Sequence, residues 1–196
     1  MLLNNRFDEG MKLYSKAFYI TNIQYDLFQI GHSFLKQNKI DDAIKWFEFK
    51  ELIDIFTNSN LHDELFYLAV CYSEKKDWLN AERYIDRYLE LAPDSTAGLN
   101  NKGWYLYQNG NLEESILYFE KVLKIDEKDD YAWNNLGKVY HDLGKYGDSI
   151  HAFEKSIEYG SIDRETYEEY ALSLDKAGFL EKAKSIRETK LDRSQK

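Results

Sequence analysis

The chain repeats itself at an interval of 34 residues, and a period of that length leaves few folds open. A large apolar residue falls at Leu27, Leu65, Leu99, Trp133 and Tyr167, with gaps of 38, 34, 34 and 34. Four places later comes a small residue, at Gly31, Ala69, Gly103, Gly137 and Ala171, and three further a bulky one, at Phe34, Tyr72, Leu106, Tyr140 and Leu174. A second small column reads Ala43, Ala81, Ser115, Ser149 and Ala183, followed after four places by Phe47, Ile85, Phe119, Phe153 and Arg187. Leu65, Leu68, Ala69 and Tyr72 lie at i, i+3, i+4 and i+7, one face of a helix. Ala81, Ile85, Tyr88 and Leu89 do the same for a second helix. Small residues on both helices let two backbones approach, so each copy predicts an antiparallel hairpin. Its turn carries Asn109-Gly110 or Gly144, residues that accept the left-handed backbone ending a helix. A lone hairpin of this size cannot bury its apolar face, so the copies must stack.

Composition agrees. Only one of 196 residues is proline, and 43 % are apolar against 31 % charged, which fits an almost all-helical globular chain. The net charge of −9 disfavours a nucleic-acid backbone as partner, and no basic cluster offsets it. The opening MLLNNRFDEG lacks the apolar core of a signal peptide, and no apolar run is long enough to span a membrane. Cys71 is the only cysteine, so the chain has no internal disulfide, as a reducing, cytoplasmic setting would have it. On an apolar helix face Cys71 reads as a small buried residue rather than a reactive thiol.

The clearest copy, residues 130–163, carries Trp133, Leu136, Gly137 and Tyr140, then Ser149, Phe153 and Ser156. This pattern resembles the tetratricopeptide repeat, W-x2-L-G-x2-Y followed by A-x3-F-x2-A, with serine in two alanine columns. The resemblance covers about residues 24 to 190. It implies an all-α, right-handed superhelical solenoid of about five hairpins: one array over 1–196, with repeats at 24–61, 62–95, 96–129 and 130–163 and a polar C-terminal capping repeat at 164–196. Residues 7–20 read as a second-type helix without its partner. They form a leading cap if Met1 is the natural start, or mark the chain as part of a longer array. In the first copy the second helix, from about Asp41 to Phe56, runs four residues longer than usual, and its stripe of Trp46, Phe49, Leu52, Ile53 and Phe56 is either local core or a contact surface. In the last copy, Arg187 and Lys190 stand where other copies place packing residues, as befits a face turned to water.

No catalytic constellation is present. The histidines, His32, His62, His141 and His151, have no metal-ligand spacing, and no phosphate-binding loop or nucleophile elbow occurs. Asp126 to Asp130 lacks the alternating ligands and central glycine of a calcium loop. Asp129 or Asp130 instead favours the start of the following helix. The reading is therefore of a protein with no enzymatic activity, no cofactor and no metal.

In the family that the chain resembles, the first helix of each hairpin lines a concave surface. Residues there that avoid the packing columns are Tyr25, Phe28 and His32, then Phe66, then Asn100, Asn101, Trp104 and Tyr107, then Tyr131, Asn134, Asn135, Lys138 and His141. The last copy adds Glu165, Glu168, Leu172 and Asp175. The groove runs from aromatic through amide-rich to acidic. Asn100-Asn101 and Asn134-Asn135 recur 34 residues apart, and an amide offers both a donor and an acceptor to a peptide backbone. Aromatic anchors on a surface commonly serve a partner. The cationic clamp by which some tetratricopeptide-repeat domains hold chaperone tails is absent. Its three registers here read Phe28, His32, Tyr67, Ala97, Asn101; Phe66, Val70, Asn101, Tyr131, Asn135; and Asn100, Trp104, Asn135, Glu165, Glu169. The expected function is a non-catalytic scaffold holding a protein or extended peptide in this groove. The alternative is a self-associating module, a homodimer through helix 7–20 and the long helix 41–56. A regulatory part of an enzyme is a third reading with no motif behind it.

Overall fold

The computed structural model describes residues 23–57 and 62–191. The leading segment 7–20 lies outside the described residues. Among the described residues the chain forms ten α-helices and one π-helical turn, with no strand. It divides into two compact units, 1–76 and 77–196.

The first unit holds α1 (Ile23–Lys36), α2 (Ile40–Thr57) and α3 (His62–Glu74). Helix α2 has 18 residues against 14 in the second helices of the regular copies, the extension that its apolar stripe predicts. Along that stripe Ile53 is buried, Trp46 and Phe49 half-buried and Leu52 exposed, and the side chain of Phe56 lies outside the described residues. Helices α1, α2 and α3 all contact one another.

The second unit runs through α4 (Trp78–Leu91), α5 (Thr96–Gln108), α6 (Leu112–Ile125), α7 (Asp130–Asp142), α8 (Tyr146–Tyr159), α9 (Arg164–Lys176) and α10 (Leu180–Ile186), then the π turn Arg187–Leu191. Each helix packs on the next in sequence, and α5, α7 and α9 also touch one another in order, so they share one side of the stack. Local chemistry sets the helix starts. Asp77, Ser95 and Asp129 cap α4, α5 and α7 by accepting hydrogen bonds from the backbone N–H groups of Asn80, Gly98 and Ala132, the last at 2.7 Å. The hairpin turns pass through left-handed backbone at Gly110, Gly144 and Gly178 in this unit, and at Asn38 in the first.

One contact recurs in three hairpins and fixes how closely each of them closes. A Cβ added at Gly103 would stand 2.7 Å from the Phe119 ring, one at Gly137 2.7 Å from Phe153, and one at Gly31 2.8 Å from Phe47. Those three phenylalanines are fully buried. The aromatic ring thus fills the space that a side chain would take on the facing helix. The serines in the alanine columns bring polar atoms inside, and each finds a backbone acceptor. The hydroxyl of Ser149 donates to the Gly137 carbonyl at 2.8 Å, Ser156 to that of Asp130 at 2.9 Å, and Ser115 to that of Leu112 at 2.7 Å. At the C-terminal end Arg187 pairs with Asp175, and Lys190 lies 5.4 Å from the Tyr167 ring.

Candidate functional site

Two adjoining hollows lie along the side formed by α5, α7 and α9. One, of about 240 Å³, is lined by Trp104 of α5, by Asp130, Tyr131, Asn134, Asn135 and Lys138 of α7, and by Ser161, Asp163, Glu165 and Thr166 at the start of α9. The other, of about 350 Å³, is lined by Thr96, Ala97, Asn100, Asn101 and Trp104 of α5 with Asp129, Tyr131 and Asn135. Trp104, Tyr131 and Asn135 border both, so the two hollows form one trough with these side chains at its midpoint. Tyr131 is 67 % exposed, a large ring standing mostly in water.

The asparagine pairs, alike in sequence, differ in what they touch. Asn134 donates its amide hydrogen to the Thr166 hydroxyl on the next hairpin, and Thr166 in turn meets Ser161 at 3.0 Å. Asn100 directs its amide towards both carboxylate oxygens of Asp129, each at 3.4 Å, and its own carbonyl oxygen is buried without a partner. Both first members therefore reach across to the following hairpin. The second members, Asn101 and Asn135, are half-buried on the trough wall, and among the described residues their amides have no hydrogen-bond partner.

The rest of the α7 face is partly self-occupied. The ammonium of Lys138 pairs with Glu165 at 2.5 Å and lies 5.5 Å from the Trp104 ring. Tyr107 donates to Asp142 at 2.7 Å, and its ring stands 5.3 Å from Trp104. Burial, with Asp142 adding to it, pushes the Tyr107 hydroxyl above its ordinary pKa. His141 shares a hydrogen bond of 2.8 Å with Ser173, which also meets Ser149. Burial raises the Asp130 carboxyl, and the nearby charges of Asp129 and Asp163 raise it further.

In the first unit Phe28, His32 and Phe66 are half-buried and gather around Tyr67, whose ring centroid lies 5.3, 5.2 and 5.6 Å from theirs. The side chain of Tyr25 lies outside the described residues. Sequence reasoning placed Tyr67 only in a clamp register, although it is the hub of this aromatic group. It also read Asp129 and Asp130 as helix-start residues alone, whereas Asp130 and Asp163 line the trough as well. The recurrence of aspartate at 129 and 163, one period apart, is the signal that could have found them. Among the described residues no group of three or more His, Cys, Asp or Glu side chains is arranged to hold a metal ion, and no helix is long and apolar enough to cross a membrane.

Comparison with known proteins agrees with this architecture. Family models described as tetratricopeptide repeat match residues 65–95 and 130–160, and one described as TPR repeat matches 105–144. Superkiller protein 3 of Saccharomyces cerevisiae is 29 % identical over 99 residues, 47 % of this chain. The mitochondrial import receptor subunit TOM70 of Mus musculus is 24 % identical over 149 residues, 76 % of the chain. The chain spans only 7 % of the first and 24 % of the second. Among solved structures, MamA from Desulfovibrio magneticus superposes with a TM-score of 0.76 at 16 % identity, over 88 % of this chain and 97 % of that one. A tetratricopeptide repeat protein from Parabacteroides merdae gives 0.75 at 20 % identity, over 90 % and 67 %.

Proposed function

We propose that this tetratricopeptide-repeat protein is a non-catalytic scaffold that holds an extended polypeptide segment in the trough formed by α5, α7 and α9. Such repeats and their relatives support a protein-interaction role in general. The observation that carries the finer reading is the midpoint of the trough, where exposed Tyr131 stands beside the unpartnered amides of Asn101 and Asn135. An amide with both groups free can pair with the N–H and C=O of a passing backbone, and an exposed ring supplies apolar anchorage at little entropic cost. Trp104 and Tyr107 brace the wall from α5. Lys138, Asn100 and Asn134 shape it while spending polar groups on neighbouring side chains, and His141, further along α7, lines neither hollow and meets Ser173. Phe28, His32 and Phe66 belong to the same proposal as an aromatic patch of the first unit. The single buried thiol of Cys71, pushed up to about 12 by burial, fits a reducing, cytoplasmic setting.

The test is selection from a displayed library of random peptides, followed by affinity measurement on the wild type and on a variant combining Asn101→Ala, Tyr131→Ala and Asn135→Ala. The expected result is a loss of about tenfold or more, as for the central residues of an interface, with unchanged helicity. Equal affinity for both proteins would overturn the reading. Self-association is the competing reading, and light scattering separates the two: a monomer that binds peptide excludes it.

A further inference from the structure

We infer that the segment held in this trough is basic, and that it seats an arginine side chain between Tyr131 and the carboxylates of Asp130 and Asp163. The inference rests on the proposed groove and adds the chemistry of its occupant. Four carboxylates, those of Asp129, Asp130, Asp163 and Glu165, border the two hollows against one ammonium, that of Lys138. Asp129 is committed to capping α7 and to Asn100, and Glu165 to Lys138. Asp130 and Asp163 remain, Asp130 with only backbone N–H partners, its own and that of Tyr131. Asp163 precedes α9 but makes no side-chain capping bond there, and among the described residues its carboxylate has no hydrogen-bond or ion-pair partner. The charges of Asp129 and Asp163 act on Asp130 with the same sign and add to the negative character of this corner.

Lys138 is the internal precedent. It sets a cation over the ring of Trp104 with a carboxylate at its other side, the same pair of partners that the corner of Tyr131, Asp130 and Asp163 would offer. A guanidinium suits this corner better than an ammonium does. Its planar fork donates to carboxylates on its edge while its face lies on a ring. A metal ion is the poorer fit, because the carboxylates line the trough without converging on one point. An acidic segment would meet a surface of its own sign.

The experiment uses the full chain and fluorescein-labelled peptides of equal length, built on Gly-Ser spacers and carrying arginine, glutamine or glutamate. Anisotropy is read at low and at raised salt. The arginine peptide is expected to bind at least about tenfold tighter than the glutamine peptide, with the difference shrinking as salt rises. That advantage should vanish in Asp130→Asn with Asp163→Asn and persist in Glu90→Gln with Glu120→Gln, exposed carboxylates that line neither hollow. Melting curves check that each variant is folded. If the double aspartate variant fails to fold, Tyr131→Ala decides, since a side chain so exposed carries little of the fold. Undiminished arginine-peptide binding there would overturn the inference. A glutamine peptide that binds as tightly as the arginine peptide, and is lost in Tyr131→Ala, would overturn the basic occupant and leave the groove standing. Equal losses in groove and remote charge variants would mean that only the overall field attracts the peptide, and the inference falls. Failure of every peptide to bind would overturn inference and groove together.

Discussion

At the scale of single residues, the most unusual chemistry lies away from the trough. In the first unit Lys50, Asp54 and Glu64 are buried together, with the Lys50 ammonium donating to Asp54 and, at 2.8 Å, to Glu64. Two carboxyls thus share one ammonium. Burial, then a hydrogen bond with Asp54, pushes the Glu64 carboxyl up to about 7 against the pull of Lys50. The folded chain therefore keeps a proton that the unfolded chain releases near 4.5. Its stabilising effect is complete below that pH, is lost between 4.5 and about 7, and is absent above, with a slope of at most about 1.4 kcal/mol per pH unit. Asp41, Glu154 and Asp175 work in the opposite sense. Hydrogen bonds from Lys75, Lys182 and Arg187 lower them, so their contribution is lost only as pH falls into the acid range. Denaturant midpoints measured from weakly acidic to weakly alkaline pH should fall in the wild type and stay level in Glu64→Gln. The same slope in both proteins would refute this account. Nothing in the sequence separates Lys50 and Asp54 from an ordinary surface pair four residues apart. Only the packing of α2 on α3, which brings Glu64 to them, takes all three out of water.

At the scale of helices and turns, most of the design was readable, because one helix face and one turn each leave a local mark. The first small column located the close approach in the hairpins of Gly31, Gly103 and Gly137, and the glycines located the left-handed turns at 110, 144 and 178. Gly137→Ala drives a methyl into the buried Phe153 ring and should destabilise the protein by about 1–3 kcal/mol in denaturant titration. A change within error would show that the ring can move aside. Lys76, a non-glycine residue with φ of 58°, occupies the turn position that glycine fills in later copies. Lys76→Gly should stabilise by about 1 kcal/mol, and a loss of stability would contradict the strain argument. The asparagine pairs mark where reading by columns stopped. Period and composition treat both members alike, and which amide turns towards the next hairpin depends on the rotation of α5 and α7 about their axes. That rotation is set by packing against α6 and α8, which a single helix does not encode.

At the scale of the whole molecule, period and compactness report different things. The match over 65–95 runs through Lys76, where the chain divides into its two compact units. A period is written in local chemistry, whereas the division reflects how densely contacts cross a given point, so the first did not foretell the second. Within the second unit, stability in a stack is a sum over neighbours, and the last element has a neighbour on one side only. Amide exchange should be slowest in α6, α7 and α8 and fastest in the π turn Arg187–Leu191, with α10 between them. Uniform protection would indicate one all-or-none unit instead. The division of labour within Asn100-Asn101 and Asn134-Asn135 has a consequence for how such a protein can change. The first amide of each pair is built into the joint between hairpins, and the second is free of it. Under the proposed function, substitution at 101 or 135 would redirect what the trough accepts while the joint stays intact. Partner preference, on that proposal, is a separately editable layer, written one residue away from the instructions for the stack.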